Sequence, residues 1–139
     1  MLPLFTQNKI HLPAGIAIQQ SRLHGQGVFA CKKFTSGTVI ETAPLILLTA
    51  ADKSFLQTTS LFSYYFLIDD AETPAALGLG YSSVYNHSYT ANAAYTISLT
   101  NACLIIKACK AIKPGEEITL NYNGSPDDTT AVYFQPATT

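Results

Sequence analysis

The chain is 139 residues long, a size suited to one domain, with 47% apolar residues, 12% charged residues and a net charge of −1. That balance removes the electrostatic case for nucleic acid or an anionic membrane surface as a direct partner. The charged share is about half the roughly 25% of an ordinary domain, so part of the outside is expected to be apolar and to favour self-association as a homodimer.

Read in chain order, the segments are short, rich in β-branched and aromatic residues, and separated by turn residues. Residues 1–14 form an N-terminal extension without the continuous apolar core of a signal peptide. Ile16 to Leu23 alternates as a strand, Gly25 to Gly27 makes a turn, and Val28 to Cys31 resumes as a strand. Ser36 and Gly37 turn the chain into a strand at Thr38 to Glu41, and Pro44 precedes a separate apolar run, Leu45 to Leu48. Ala50 to Leu61 reads as the best helix, with Asp52 placed to cap it. Leu61 to Ile68 fits helix or strand, and Asp69 to Pro74 is a polar loop. Ala94 to Thr100 and Cys103 to Ala108 form a hairpin, and Ile118 to Tyr122 is a last strand after the turn at Lys113, Pro114 and Gly115. The whole is mainly β with one or two short helices.

No apolar run approaches the roughly 20 residues of a membrane span. Cys31, Cys103 and Cys109 are odd in number and form no CxxC pair. Free thiols in a reducing compartment are therefore expected, with no metal site and a soluble, cytoplasmic protein.

Three segments carry polar chemistry. In His24-Gly25-Gln26-Gly27, two closely spaced glycines suit either a tight turn or close backbone approach to a ligand. In Tyr85-Asn86-His87-Ser88, followed by Asn92, the side chains suit hydrogen bonding to a heteroaromatic ring, or equally a capped surface turn. In Gly115-Glu116-Glu117-Ile118-Thr119-Leu120-Asn121-Tyr122, a turn launches a strand that ends on a tyrosine. The two glutamates are neighbours and face opposite sides of a strand, so turn stabilisation or salt bridging suits them better than paired catalysis.

Order and spacing add what no single segment supplies. Gly25-x-Gly27, then Asn86-His87-Ser88 with Asn92, then Gly115-Glu116-Glu117 ending in Tyr122 resembles the SET-domain signature. The Ala76 to Gly80 lead-in is similar to that of the short viral histone methyltransferases of this family. The resemblance implies a SET-domain (β-clip type) fold of small β-sheets with a knot-like C-terminal crossing, spanning residues 15–123. It implies a protein-lysine N-methyltransferase that takes its methyl group from S-adenosylmethionine, with a protein or peptide lysine as substrate. Gly25, Gln26 and Gly27 would then cradle the cofactor with Asn86 and His87. Tyr122 would be the active-site tyrosine, Tyr65 a second catalytic tyrosine, and Tyr65, Leu120 and Tyr122 the walls of a lysine channel.

Some positions depart from the pattern. Tyr89 and Ala91 stand where many members carry cysteine and proline, and Leu120 stands where many carry an aromatic. No cysteine cluster follows the domain, so a lid would come from the tail at residues 124–139, with Tyr133 and Phe134 as its aromatic pair. A SET-like interaction module without turnover, and an enzyme acting on a small amine, are the competing readings.

Overall fold

Alternating β-formers build a first hairpin. Strand β1 (Ile16–Gln20) pairs antiparallel with β2 (Gln26–Ala30), Ile16 opposite Ala30 and Gln20 opposite Gln26. The computed structural model describes residues 13–132. Val28 and Ala30 point inward and are buried, while Gln19, Gln20 and Gln26 face water.

Strand β3 (Val39–Leu48) runs unbroken for ten residues through Pro44. The sequence suggests two pieces there, and the partner pattern explains their fusion. β3 pairs with β8 (Cys103–Ala108) from Val39 to Pro44, then with β5 (Ala75–Gly78) from Leu45 to Leu48. Proline, which lacks an N–H, stands where the strand changes partners, and its carbonyl still accepts from the Leu79 amide at 2.9 Å.

Helix α1 covers only Ala50–Leu56, shorter than the expected span to Leu61. Thr49 is its N-cap, and Asp52 closes a capping box by bonding back to Thr49 rather than capping on its own. It stops because the Thr58 and Thr59 hydroxyls bond back to the carbonyls of Phe55 and Leu56. Thr59 then caps a 3-10 turn, Ser60–Ser63.

Strand β4 (Tyr65–Leu67) pairs with β5, and β7 (Ala93–Ser98) pairs with β8. The order in this five-stranded sheet is β4-β5-β3-β8-β7. A second sheet runs β1-β2-β9-β6, where β6 is the dipeptide Asn86–His87 and β9 is Glu117–Leu120. β9 is antiparallel to β2 and parallel to β6, with Asn86 opposite Thr119 and His87 opposite Leu120. Asn92 extends this pairing: its side chain donates to Glu117 O at 2.8 Å and accepts from Thr119 N at 2.9 Å, as a neighbouring strand would.

The core between the sheets holds Val28, Phe34, Leu104, Ile106, Ile112, Ile118 and Leu120 with the ring of Tyr85. The result is the mainly β fold of small sheets that the sequence implies. Among the described residues no helix is long and apolar enough to cross a membrane.

Candidate functional site

One side of the site is the glycine loop. Gly25 is exposed, has a φ of +47°, and has open space where a side chain would begin. Gly27 is buried, and only glycine fits there, because a Cβ would press on the carboxylate of Glu117 and lie 3.0 Å from Asn86 Nδ2. The loop is pinned from behind. Asn86 Nδ2 is shared among His24 O at 3.0 Å, Gln26 O at 3.0 Å and Glu117 Oε1 at 2.8 Å. The Ser21 hydroxyl bridges both Glu117 oxygens at 2.9 and 2.8 Å, and its backbone N–H donates to Gly25 O at 2.9 Å.

The two adjacent glutamates therefore do different work. Glu116 accepts from Lys113 N at 2.8 Å and stabilises its turn, as expected. Glu117 is half-buried behind the glycine loop, where the sequence suggests a turn or a salt bridge.

The centre of the site is where β6 and β9 run side by side. His87 is buried, and its Nδ1 accepts from Tyr122 N at 3.1 Å, which assigns the ring as the Nε2-protonated tautomer. Burial pushes the His87 pKa down, so the ring is neutral at neutral pH. Its face meets Tyr89 edge-on at 4.5 Å and Tyr122 at 5.3 Å. The Tyr122 hydroxyl donates to the carbonyl of Tyr85 at 2.7 Å. The Tyr85 phenol in turn donates to Glu41 Oε2 at 2.8 Å, and Glu41 Oε1 accepts from Tyr81 N at 2.9 Å. Burial raises the Glu41 pKa while both hydrogen bonds oppose the rise, and burial beside that carboxylate raises the Tyr85 pKa far above its usual value.

The other side is a cleft of about 920 Å³ whose walls include Tyr65, Phe66, Tyr95, Ile97, Leu120 and Tyr122. Tyr65 packs edge-on against Phe62 at 6.1 Å, and Phe66 against Tyr95 at 5.1 Å. Tyr65, Leu120 and Tyr122 thus share one cavity. Gly25, Gln26, Gly27, Asn86 and His87 lie outside its lining, and Tyr122 touches both groups.

Residues 123–132 supply another wall of the cleft. Asn123 Nδ2 donates to Thr130 O at 2.6 Å, and Asn121 Nδ2 to Asp128 O at 2.7 Å. The Tyr89 hydroxyl donates to Thr130 O at 3.3 Å and accepts from Val132 N at 3.2 Å. Tyr133 and Phe134, named above as lid aromatics, lie outside the described residues. Sequence reasoning missed Ser21, Glu41 and Tyr95, and did not foresee that Tyr89 would hold the tail. Ser21, Glu41 and Tyr95 stand in no local pattern that singles them out.

A pinned glycine loop and a tyrosine-walled cleft, meeting where a last strand runs parallel to an Asn-His dipeptide, define a two-sided site built on one crossing. The chain belongs to the SET-domain family, whose model matches residues 25–123. A Schizosaccharomyces pombe relative, a histone-lysine N-methyltransferase specific for H3 lysine-37, is 27% identical over 108 residues, covering 77% of this chain and 72% of its own. The crystal structure of a Plasmodium falciparum candidate histone methyltransferase superposes with a TM-score of 0.66 at 28% identity, over 80% of this chain and 95% of that one. The fold also matches polycomb repressive complex 2 from Chaetomium thermophilum, in an autoinhibited conformation bound to S-adenosylmethionine, with a TM-score of 0.63 at 21% identity over 78% of this chain and 15% of that one.

Proposed function

We propose that this protein is a protein-lysine N-methyltransferase that uses S-adenosylmethionine. The observation that carries the proposal is Tyr122, which lines the aromatic cleft while its backbone is tied to His87 and its hydroxyl to Tyr85. Family membership and the activities named for the fission-yeast and Plasmodium relatives support the same reading.

The glycine loop fits the cofactor. Its backbone is exposed at Gly25 and Gln26, and two hydrogen bonds from Asn86, itself held by Glu117, fix its shape from behind. Gly25 and Gln26 would hold the cofactor through backbone groups, Gly27 permits the close packing beneath, and neutral His87, next to Asn86 in β6, would complete the site. When bound, the cofactor supplies a methyl group on a sulfonium sulfur, an already activated leaving group.

The chain's own residues then have three tasks. Tyr65, Tyr95 and Leu120 give the lysine stem apolar walls, which exclude water and lower the pKa of an entering ammonium, so that it releases its proton to bulk solvent at the mouth of the cleft. The cleft fixes the direction of approach, which converts binding into orientation. With its proton directed to Tyr85, the Tyr122 hydroxyl oxygen acts as an acceptor that aligns the neutral amine and takes weak C–H···O contacts from the methyl group.

The test is incubation with isotope-labelled S-adenosylmethionine and a cell lysate or core histones, followed by mass spectrometry. Label on lysine side chains is the expected result. Cofactor binding without label on any protein would overturn the proposal in favour of a non-catalytic module.

A further inference from the structure

Glu41 is a buried carboxylate, 3% exposed, near the start of β3, the central strand of the five-stranded sheet. Groups of this type are almost always found paired with a cation. Among the described residues Glu41 has instead the Tyr81 amide and the Tyr85 phenol, and a Cβ on Gly80 would lie 2.6 Å from its Oε1. The segment 80–85 is thus folded around one carboxylate.

Packing does not require this arrangement. A phenylalanine would fill the place of the Tyr85 ring, which is 1% exposed. Burying a phenol and a carboxylate both cost desolvation, and replacing such a pair by apolar groups is often nearly neutral. What the pair does is anchor the Tyr85 phenol on Glu41 at 2.8 Å, at the far end of a residue whose carbonyl accepts from the Tyr122 hydroxyl at 2.7 Å.

We propose that Glu41 is a positioning residue for Tyr122, acting through Tyr85. The carboxylate sets the placement of Tyr85 between the sheets, and the Tyr85 carbonyl sets the direction of the Tyr122 hydroxyl. The geometric part stands on the hydrogen bonds alone; its catalytic consequence rests on the methyl-transfer reading above.

The experiment has a spectroscopic arm and a kinetic arm. In protein labelled with 13Cζ-tyrosine, the Tyr122 resonance is assigned by its loss in Tyr122→Phe. Tyr85→Phe, and the double variant Glu41→Met/Tyr85→Phe that leaves no orphaned carboxylate, should both move that resonance and its titration midpoint. Should Tyr85→Phe alone fail to fold, the double variant carries the same readout, and Glu41→Gln, which keeps the shape and one acceptor oxygen, gives an intermediate shift. A Tyr122 resonance unmoved in the folded variants overturns the inference.

In the kinetic arm, with core histones as substrate, Tyr85→Phe should lower kcat by about tenfold, less than the roughly hundredfold of a misplacement by about 1 Å because Tyr122 keeps its hydroxyl. KM and cofactor affinity should stay within about twofold, as expected when an interaction acts only in the transition state. In a Tyr122→Phe background the same change should have no further effect; a full additive loss there would mean a merely structural role and overturns the inference. A resonance that moves in the variants, together with a wild-type protein that transfers no methyl group, would sustain the positioning and overturn the proposed function instead.

Discussion

The two glycines of the Gly-x-Gly loop should respond to alanine for different reasons, and the difference tests the architecture of the loop. At Gly25 a methyl group meets nothing within 4 Å, but the residue sits at a φ of +47°. Alanine in the left-handed region costs about 1–2 kcal/mol. At Gly27 no positive φ is involved; the methyl group would press on the Glu117 carboxylate, 2.9 Å from its Cδ and 3.0 Å from Asn86 Nδ2. Glu117 must then move, breaking its bonds to Ser21 and Asn86. Hydrogen bonds to a charged group contribute about 1.5–3 kcal/mol each, and half-buried Glu117 recovers part of that from water. A loss of about 3 kcal/mol for Gly27→Ala therefore stands against about 1–2 kcal/mol for Gly25→Ala. Urea unfolding of both variants, with cofactor binding by calorimetry, reads the contrast. If Gly27→Ala is no less stable than Gly25→Ala, the Glu117 network does not hold the loop.

Tyr122→Phe should lower turnover by about a hundredfold at unchanged cofactor affinity, in the range for losing one preorganised polar group, and Tyr65→Phe should do less. Steady-state kinetics at cofactor saturation checks both. Asn86→Ala removes the amide shared by His24, Gln26 and Glu117, and should cost about 2–3 kcal/mol of stability in urea along with most of the cofactor affinity. Because burial depresses the His87 pKa, the folded state takes up its proton less readily than the unfolded chain. His87 thus contributes stability that is present above its unfolded pKa, about 6.5, and is lost as pH falls through the lower folded value. Urea midpoints against pH should show that fall, and His87→Gln should flatten it. Exposed Phe55, Leu61, Phe62, Tyr64 and Leu67 crowd α1, the 3-10 turn and β4, so sedimentation at micromolar concentration should give a dimer mass.

Much of the fold was legible because alternation and turn residues mark the hairpins directly. The β7–β8 hairpin falls within a residue or two of its expected place. β5 and β6 were not legible. Ala75–Gly78 lacks the β-branched residues that mark a strand, and Asn86–His87 is a strand only because β9 lies beside it. Likewise, Ala50 onward reads as helix until Thr58 and Thr59 turn back on it, a local competition that periodicity does not register. The site splits along the same line. Gly25, Asn86, His87 and Tyr122 stand in compact motifs, whereas Ser21 and Glu41 act across 96 and 44 residues of chain, on Glu117 and Tyr85 respectively.

The place of β9 between β2 and β6 bears on how the molecule comes together in time. Both glycine-loop supports and the placement of Tyr122 depend on a strand that begins at Glu117. The five-stranded sheet does not contain β9, so it can form before that segment is synthesised or docked. An intermediate with that sheet intact would show much of the native circular dichroism and yet lack both the pinned glycine loop and the finished cleft. Closing contacts across nearly a hundred residues is slow compared with hairpin formation. Ligand affinity should therefore recover later than backbone structure during refolding, and a ligand that binds only the finished crossing would pull late intermediates to completion by mass action.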